Sequence, residues 1–265
     1  MALNLIDKIL ENYIKENIPD KEVAVLLSGG VDSLSVAFAL HRQGKKIISY
    51  SFKLKNIPNY DFEKAKTVSK IFNWDFKEII IDPKLLKDDF YKLKDLGCYK
   101  KTHYECMYPF IYIFPQIKEK YVASGWAADG YYGISKKAMI HFRKPKELFD
   151  KFRNDYFLPK NSAGFFFLDK IAKLNNKIVI APYLSKEVKQ FFYEKDWFEL
   201  NKPYQKHHVR KSFIEFKKIG EVKKHINLQI GSKITKIFET LINDNIINFK
   251  NRKRVMDICR DWANK

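Results

Sequence analysis

A chain of 265 residues that is 46% apolar and 15% aromatic can bury a large core, which excludes a disordered protein and points to one large or two small globular units. A formal net charge of +19 is compatible with a nucleic-acid partner, yet only seven of the fifty basic residues are Arg and the lysines are spread along the chain, so a coding bias competes as the explanation. No apolar run approaches membrane-spanning length, and Cys98, Cys106 and Cys259 make no disulfide framework, which together suit a cytoplasmic protein.

The opening segment reads as an amphipathic helix with Leu3, Ile6, Leu10 and Ile14 on one stripe. A strand at 22–28, a helix at 33–43 and a second strand at 46–52 follow. A helix from about Asp61 to Phe72, with Asp61 placed to cap it, leads to a third strand, "FKEIIID". A helical stretch over 99–118 precedes a fourth strand, "YVASG", that ends at Gly125. Apolar strands alternating with helices predict an α/β protein with a doubly wound parallel sheet covered on both faces. From about Lys144 the chain turns helical and basic: "KELFDKFRNDYF", "KEVKQFFYEKDWF", "HHVRKSFIEFKKI" and "SKITKIFETLINDNI" each carry an apolar stripe, and only "KIVIAPY" reads as a strand. With no repeat and no Gly/Ser linker, the expected division is an α/β part over 1–143 and a helical part over 144–265 packed directly on it.

The first strand runs into Ser28-Gly29-Gly30-Val31-Asp32-Ser33. Ligands of a doubly wound sheet sit beyond the carboxyl ends of its strands. Two glycines let the backbone turn tightly and come close to a ligand, and the following helix aims its free N–H groups at the same spot. With the hydroxyls of Ser28 and Ser33 added, the turn is an anion cradle suited to phosphate. A bare carboxylate there would repel phosphate, so Asp32 makes sense as a ligand of Mg2+ bridging to phosphate oxygens. The competing reading is an ordinary turn in which Asp32 caps a helix. A Walker-A loop is excluded, because no Gly-Lys-Ser/Thr follows.

"SGGVDS" resembles the pyrophosphate-binding loop of the PP-loop ATP pyrophosphatases, which cut ATP between its α and β phosphates and adenylate a carbonyl or carboxylate oxygen. Further segments resemble, in order, the C-terminal domain of asparagine synthetases: "KTHYECMYPFIYIFPQIKEKYVASGWAADGYYG", "KIVIAPYLSKEVKQFF", "KHHVRKSF" and "LQIGSKI". The resemblance implies ATP and Mg2+ as cofactors, Asp129 as a second metal-binding aspartate facing Asp32, and Leu27, Ser51, Phe52 and Gly125 beside the nucleotide. It also implies a cation on the pyrophosphate side, for which Lys223, Lys224, Lys206 and Arg210 are the candidates. Trp126 stands where the family has a Glu linked to amide formation, Gly130 where it has another Glu, and Ser185 where it has an Asp. The adenylation half therefore looks intact and the acceptor half altered, with Trp126 a candidate for stacking on a bulkier acceptor.

The implied reaction is amide formation on a small carboxylate by an AMP-forming ligase. A PP-loop modifier of tRNA or a nucleobase, and a degenerate nucleotide-binding module, are the alternatives. The family's bifunctional members carry a glutaminase domain ahead of this one, whereas the sequence begins Met1-Ala2-Leu3. The expected nitrogen source is free ammonia, a separate ammonia-supplying glutaminase, or an amine. Cys98, His103 and Cys106 lack a fourth partner and zinc-knuckle spacing, so ordinary helix thiols are expected there.

Overall fold

The structure, a computed structural model, describes residues 5–99, 101–133, 146–156, 163–220 and 227–243. Leu3 and the 143/144 division lie outside the described residues. The first half alternates as expected through α1 (Ile6–Asn17), β1 (Glu22–Leu26), α2 (Val31–Arg42), β2 (Lys46–Leu54), α3 (Tyr60–Ile71) and β3 (Asp75–Ile81). It continues through α4 (Leu86–Asp95), α5 (Lys101–Met107), α6 (Phe110–Ile113), β4 (Tyr121–Ala123) and α7 (Ala128–Tyr132), and β5 (Ile178–Ile180) completes the sheet. All four strand pairings are parallel, in the order β3-β2-β1-β4-β5.

Strand alternation sends successive side chains to two separate cores. Val23 and Val25 of β1 join Ile6, Leu10 and Ile14 of α1 and the apolar face of α2, while Ala24 faces the other way, into a core with Phe90, Tyr104, Met107 and Phe114. Both faces are thus roofed by helices, which is why β1 carries the unbroken apolar run Val23–Leu26. The edges differ: β5 is three residues long, and β3 leaves Asp75, Lys77, Glu78 and Ile80 exposed.

Several local expectations are corrected. Asn59, not Asp61, caps α3: its Oδ1 accepts the N–H groups of Asp61 (3.0 Å) and Phe62 (3.3 Å), which leaves Asp61 in the first turn with its charge toward the positive helix end. The 99–118 stretch is broken, with Pro109 ending α5 and opening α6, and Pro115 inside a 3₁₀ turn at 114–116. "KEVKQFFYEKDWF" splits into Lys186–Tyr193 and Trp197–Asn201, because Asp196 starts a new helix by accepting the Glu199 N–H at 2.8 Å. "HHVRKSFIEFKKI" splits at Phe213, which is extended, into His207–Ser212 and a 3₁₀ turn at 214–218. A further helix, Ala163–Leu174, runs through the aromatic segment "AGFFFLDK".

Arg42, at the end of α2, ties the two halves together. Its guanidinium forks onto Glu215 (2.7 and 2.8 Å) and reaches Asp7 (2.8 Å) and Glu11 (3.0 Å) of α1. Burial alone would push Glu215 up, but the Arg42 fork outweighs it and holds the carboxyl below its ordinary 4.5. A lowered folded-state pKa contributes stability that is present above 4.5 and is lost as pH falls through the folded-state value. Glu215→Gln should therefore destabilise the protein by about 2 kcal/mol at neutral pH. The gap from wild type should close below pH 4.5, as urea unfolding at the two pH values would read directly.

Candidate active site

The turn after β1 is held by its own side chains. Leu27 donates its N–H to the Tyr50 carbonyl (2.9 Å), continuing the β1–β2 ladder one residue past the strand. The Ser28 N–H donates to Ser33 Oγ (3.2 Å), the two hydroxyls lie 3.1 Å apart, and the Gly30 N–H reaches Ser28 Oγ at 3.3 Å. Gly29 has φ +72°, and a Cβ on it would lie 2.9 Å from Ala65 N of α3, so both the turn and its packing demand glycine. The helix begins at Val31, two residues earlier than expected, which puts Asp32 inside the first turn, where Val31, Asp32 and Ser33 present N–H groups without intrahelical acceptors. Ser51 and Phe52 extend β2 beyond its Leu26–Tyr50 pairing with β1; Ser51 is buried and Phe52 half-buried beside the turn.

β4 delivers the opposite wall. Gly125 lies so close to α2 that a Cβ would fall 2.5 Å from the Asp32 carbonyl carbon and 2.6 Å from the Ser33 nitrogen. Trp126 follows, half-buried, with its ring 6.4 Å from that of Phe110 and its edge against the helix Ala163–Leu174, where a Cβ on Gly164 would be 2.6 Å from the indole. Ala127, at φ +77°, turns the chain into α7, and Asp129 is the second residue of that helix. A non-glycine residue in this region costs about 1–2 kcal/mol, a strain tolerated where surrounding contacts fix the chain.

Asp32 and Asp129 converge on one ammonium. Lys206 Nζ lies 2.6 Å from Asp32 Oδ2 and 2.6 Å from Asp129 Oδ1, and its side chain is 4% exposed. The Lys206 backbone is also left-handed, at φ +57°, and is fixed by Asn201. Asn201 Oδ1 accepts the Lys206 N–H (3.1 Å), while its Nδ2 donates to the Tyr132 carbonyl of α7 (2.8 Å). One amide thus sets the spacing between the lysine and the helix that carries Asp129. Burial pushes the Asp32 carboxyl well above the usual range, with Asp129 adding to the push and Lys206 opposing it. Burial would lower Lys206, but the two carboxylates outweigh it and hold the ammonium above its ordinary value.

The other candidates fall in different places. Arg210 lies on the helix His207–Ser212 with its guanidinium 5.1 Å over the Tyr204 ring, and Lys223 and Lys224 lie outside the described residues. Ser185, in the family's Asp position, caps Lys186–Tyr193 by accepting the Val188 N–H at 3.2 Å, a role its hydroxyl fills without charge. Cys98 is buried and Cys106 half-buried, and burial pushes the Cys98 thiol up to about 12. The sequence gives no cue to Asn201, whose role depends on a carbonyl 69 residues away. The same holds for Tyr183, buried beneath α2 with its hydroxyl 2.7 Å from Ser35 Oγ. Among the described residues, no helix is long and apolar enough to cross a membrane.

These residues also fit a divalent metal. Asp32 Oδ1 is buried and has no hydrogen-bond partner, an arrangement that is costly for a carboxylate unless a cation takes it up. Among the described residues no cluster of three or more His, Cys, Asp or Glu side chains stands ready for a metal; Asp32 and Asp129 are the carboxylates that could hold one, with phosphate and water oxygens suited to the remaining positions of an ion such as Mg2+.

No curated protein sequence matches the chain. Among solved structures it is similar to a predicted subunit of tRNA methyltransferase from Methanocaldococcus jannaschii, at 15% identity over 65% of this chain and 74% of that one, with a TM-score of 0.38. It is also similar to NMN synthetase from Francisella tularensis (16% identity, 84% and 97% covered, TM-score 0.37). A third likeness is to NH3-dependent NAD synthetase from Campylobacter jejuni (13% identity, 97% and 90% covered, TM-score 0.34). The asparagine synthase family model matches residues 6–211, a span that holds the turn, both aspartates and Lys206, and the chain accordingly belongs to the asparagine synthase family of ATP-using PP-loop enzymes.

Proposed function

We propose that the protein is an AMP-forming ligase that adenylates a carboxylate or carbonyl oxygen and passes the activated carbon to ammonia or an amine. The observation that carries this reading is the convergence of Asp32 and Asp129, from two different strand ends, on a single cationic point beside the Ser28–Ser33 turn. In the first step an acceptor oxygen attacks the α-phosphorus of ATP, a P–O bond forms, and the bond to the β-phosphate breaks to release pyrophosphate. In the second, nitrogen attacks the activated carbon, AMP leaves with the C–O bonding pair, and the nitrogen loses a proton.

The chain's own groups divide this work. The N–H groups of residues 30–33 and the hydroxyls of Ser28 and Ser33 receive the outer phosphates, and the start of α2 places its positive end behind them. Asp32 and Asp129 would hold Mg2+, which when bound supplies positive charge to the departing pyrophosphate. Lys206 contributes a second, tethered positive charge of the kind that stabilises a developing anion. Trp126 forms the acceptor wall, where the family's Glu is absent, so a planar or bulkier acceptor suits this site better than aspartate.

The decisive measurement is product identity. With Mg2+, ATP and a panel of carboxylate and nucleobase acceptors, AMP and pyrophosphate should appear in equal amounts, and release of ADP and phosphate instead would exclude the reading. In the same assay Trp126→Ala should slow product formation by about tenfold or more while leaving acceptor-dependent pyrophosphate release within a few fold, since this reading assigns the side chain to the acceptor and not to the phosphates. Equal loss in both steps would remove Trp126 from the acceptor site. Product from a nucleobase acceptor alone would favour the tRNA-modifying alternative.

A further inference from the structure

Lys206 raises a problem of occupancy. Its Nζ lies 2.6 Å from one oxygen of each aspartate, so the ammonium occupies the point between the two carboxylates. It is not a surface lysine that has swung in: the side chain is 4% exposed, its backbone is held left-handed at φ +57°, and Asn201 ties that backbone to α7. The ring of the fully buried Tyr132 lies 5.6 Å from Nζ, within reach of a cation–π contact that adds to the hold on the ammonium. A divalent ion bridging the same two carboxylates would either displace the ammonium from the oxygens it holds or bind at Asp32 Oδ1 directly beside a like charge.

We infer that Lys206 is the resident cation of the site in the absence of nucleotide, so that metal is excluded until a nucleotide enters with it and draws the ammonium off the aspartates. The inference rests on the reading that Asp32 and Asp129 hold the metal. Two physical arguments carry it. Two carboxylates neutralised by one ammonium leave a net charge of −1, half the attraction that the bare pair offers a divalent ion, and ligand charge is a main determinant of affinity in oxygen sites. Phosphates supply what Lys206 needs in order to leave: anionic oxygens at the adjacent helix start, on which a flexible lysine can place its three donors. Free metal brings nothing to which the ammonium could move.

The test follows Mn2+ as a paramagnetic probe, titrated into the full chain and read by electron paramagnetic resonance, with and without an ATP analogue whose α–β bridge cannot be cleaved. Wild type should take up Mn2+ only when the analogue is present. Lys206→Met should take it up without the analogue, about tenfold more tightly than wild type or better, whereas Lys206→Arg, which keeps a cation between the acids, should behave as wild type. Circular dichroism checks that each variant is folded, and Lys206→Gln replaces the Met variant if that one is not. Equal Mn2+ affinity of wild type and the neutral variant without nucleotide would overturn the inference while leaving the analogue-dependent signal of wild type in place. Loss of that signal as well would overturn the metal-site reading itself.

Discussion

Asp32→Asn should reduce pyrophosphate release by about 10²–10³-fold under saturating Mg2+, ATP and acceptor, while the protein stays folded and no less stable than wild type. The two halves of this expectation have one cause. Asp32 is held where its charge is disfavoured, since burial and the nearby Asp129 both push its carboxyl toward the protonated form. Asparagine keeps the shape and removes the charge, so the fold gives up nothing it needs, and Lys206 keeps Asp129 as partner at 2.6 Å. The proposed chemistry would need the charge, because a neutral amide neither holds a divalent ion nor helps it to offset the leaving group. A residue that costs stability and supplies activity is the pattern expected of a functional site. Thermal melting beside a pyrophosphate assay tests both halves, and an Asn variant with activity within a few fold of wild type would remove Asp32 from the reaction.

Gly125→Ala should be damaging for the opposite reason, through shape and not charge. The new methyl would meet the Asp32 carbonyl carbon at 2.5 Å, the Ser33 nitrogen at 2.6 Å and the Asp32 oxygen at 2.7 Å, all of them backbone atoms of the first turn of α2. No side chain can rotate to make room, so α2 and the loop after β4 must move apart, at a cost of about 1–3 kcal/mol. The first carries Asp32 and the second leads into α7 with Asp129, so separating them misplaces the pair, and a 1 Å misplacement is worth about 10²-fold in rate. A lower melting temperature together with loss of nucleotide binding is the expected result. An alanine variant with unchanged nucleotide affinity would show that the two walls need not touch.

The turn is legible where its determinants are local: the hydroxyls, the glycines and the helix start lie within the six consecutive residues Ser28 to Ser33. The first four strands are legible because each sets buried apolar residues, such as Val23, Ile47, Ile79 and Val122, between helical segments. The failures share a different cause. Lys206 could be offered only beside Arg210, Lys223 and Lys224, since its meaning comes from Asp32, 174 residues away, and no periodicity encodes so distant a pair. Asn59 and Asp61 both suit an N-cap by composition, and only the extended backbone at Asn59 decides between them. The run Phe165-Phe166-Phe167 hid the helix Ala163–Leu174, because one helical turn buries Phe167 and exposes Phe166, and three identical residues show no such alternation.

The flanks of the sheet bear on how the protein behaves when crowded. Unpaired backbone along an open edge invites another chain to add a strand, and a protein that is 46% apolar has much to lose by accepting. At one flank β5 offers three residues, too few to template a partner, and at the other β3 turns Asp75, Lys77 and Glu78 outward, so an incoming strand would have to desolvate charge before gaining a single hydrogen bond. Self-association by edge-to-edge pairing, the first step toward fibrils, is therefore opposed at both ends of the sheet.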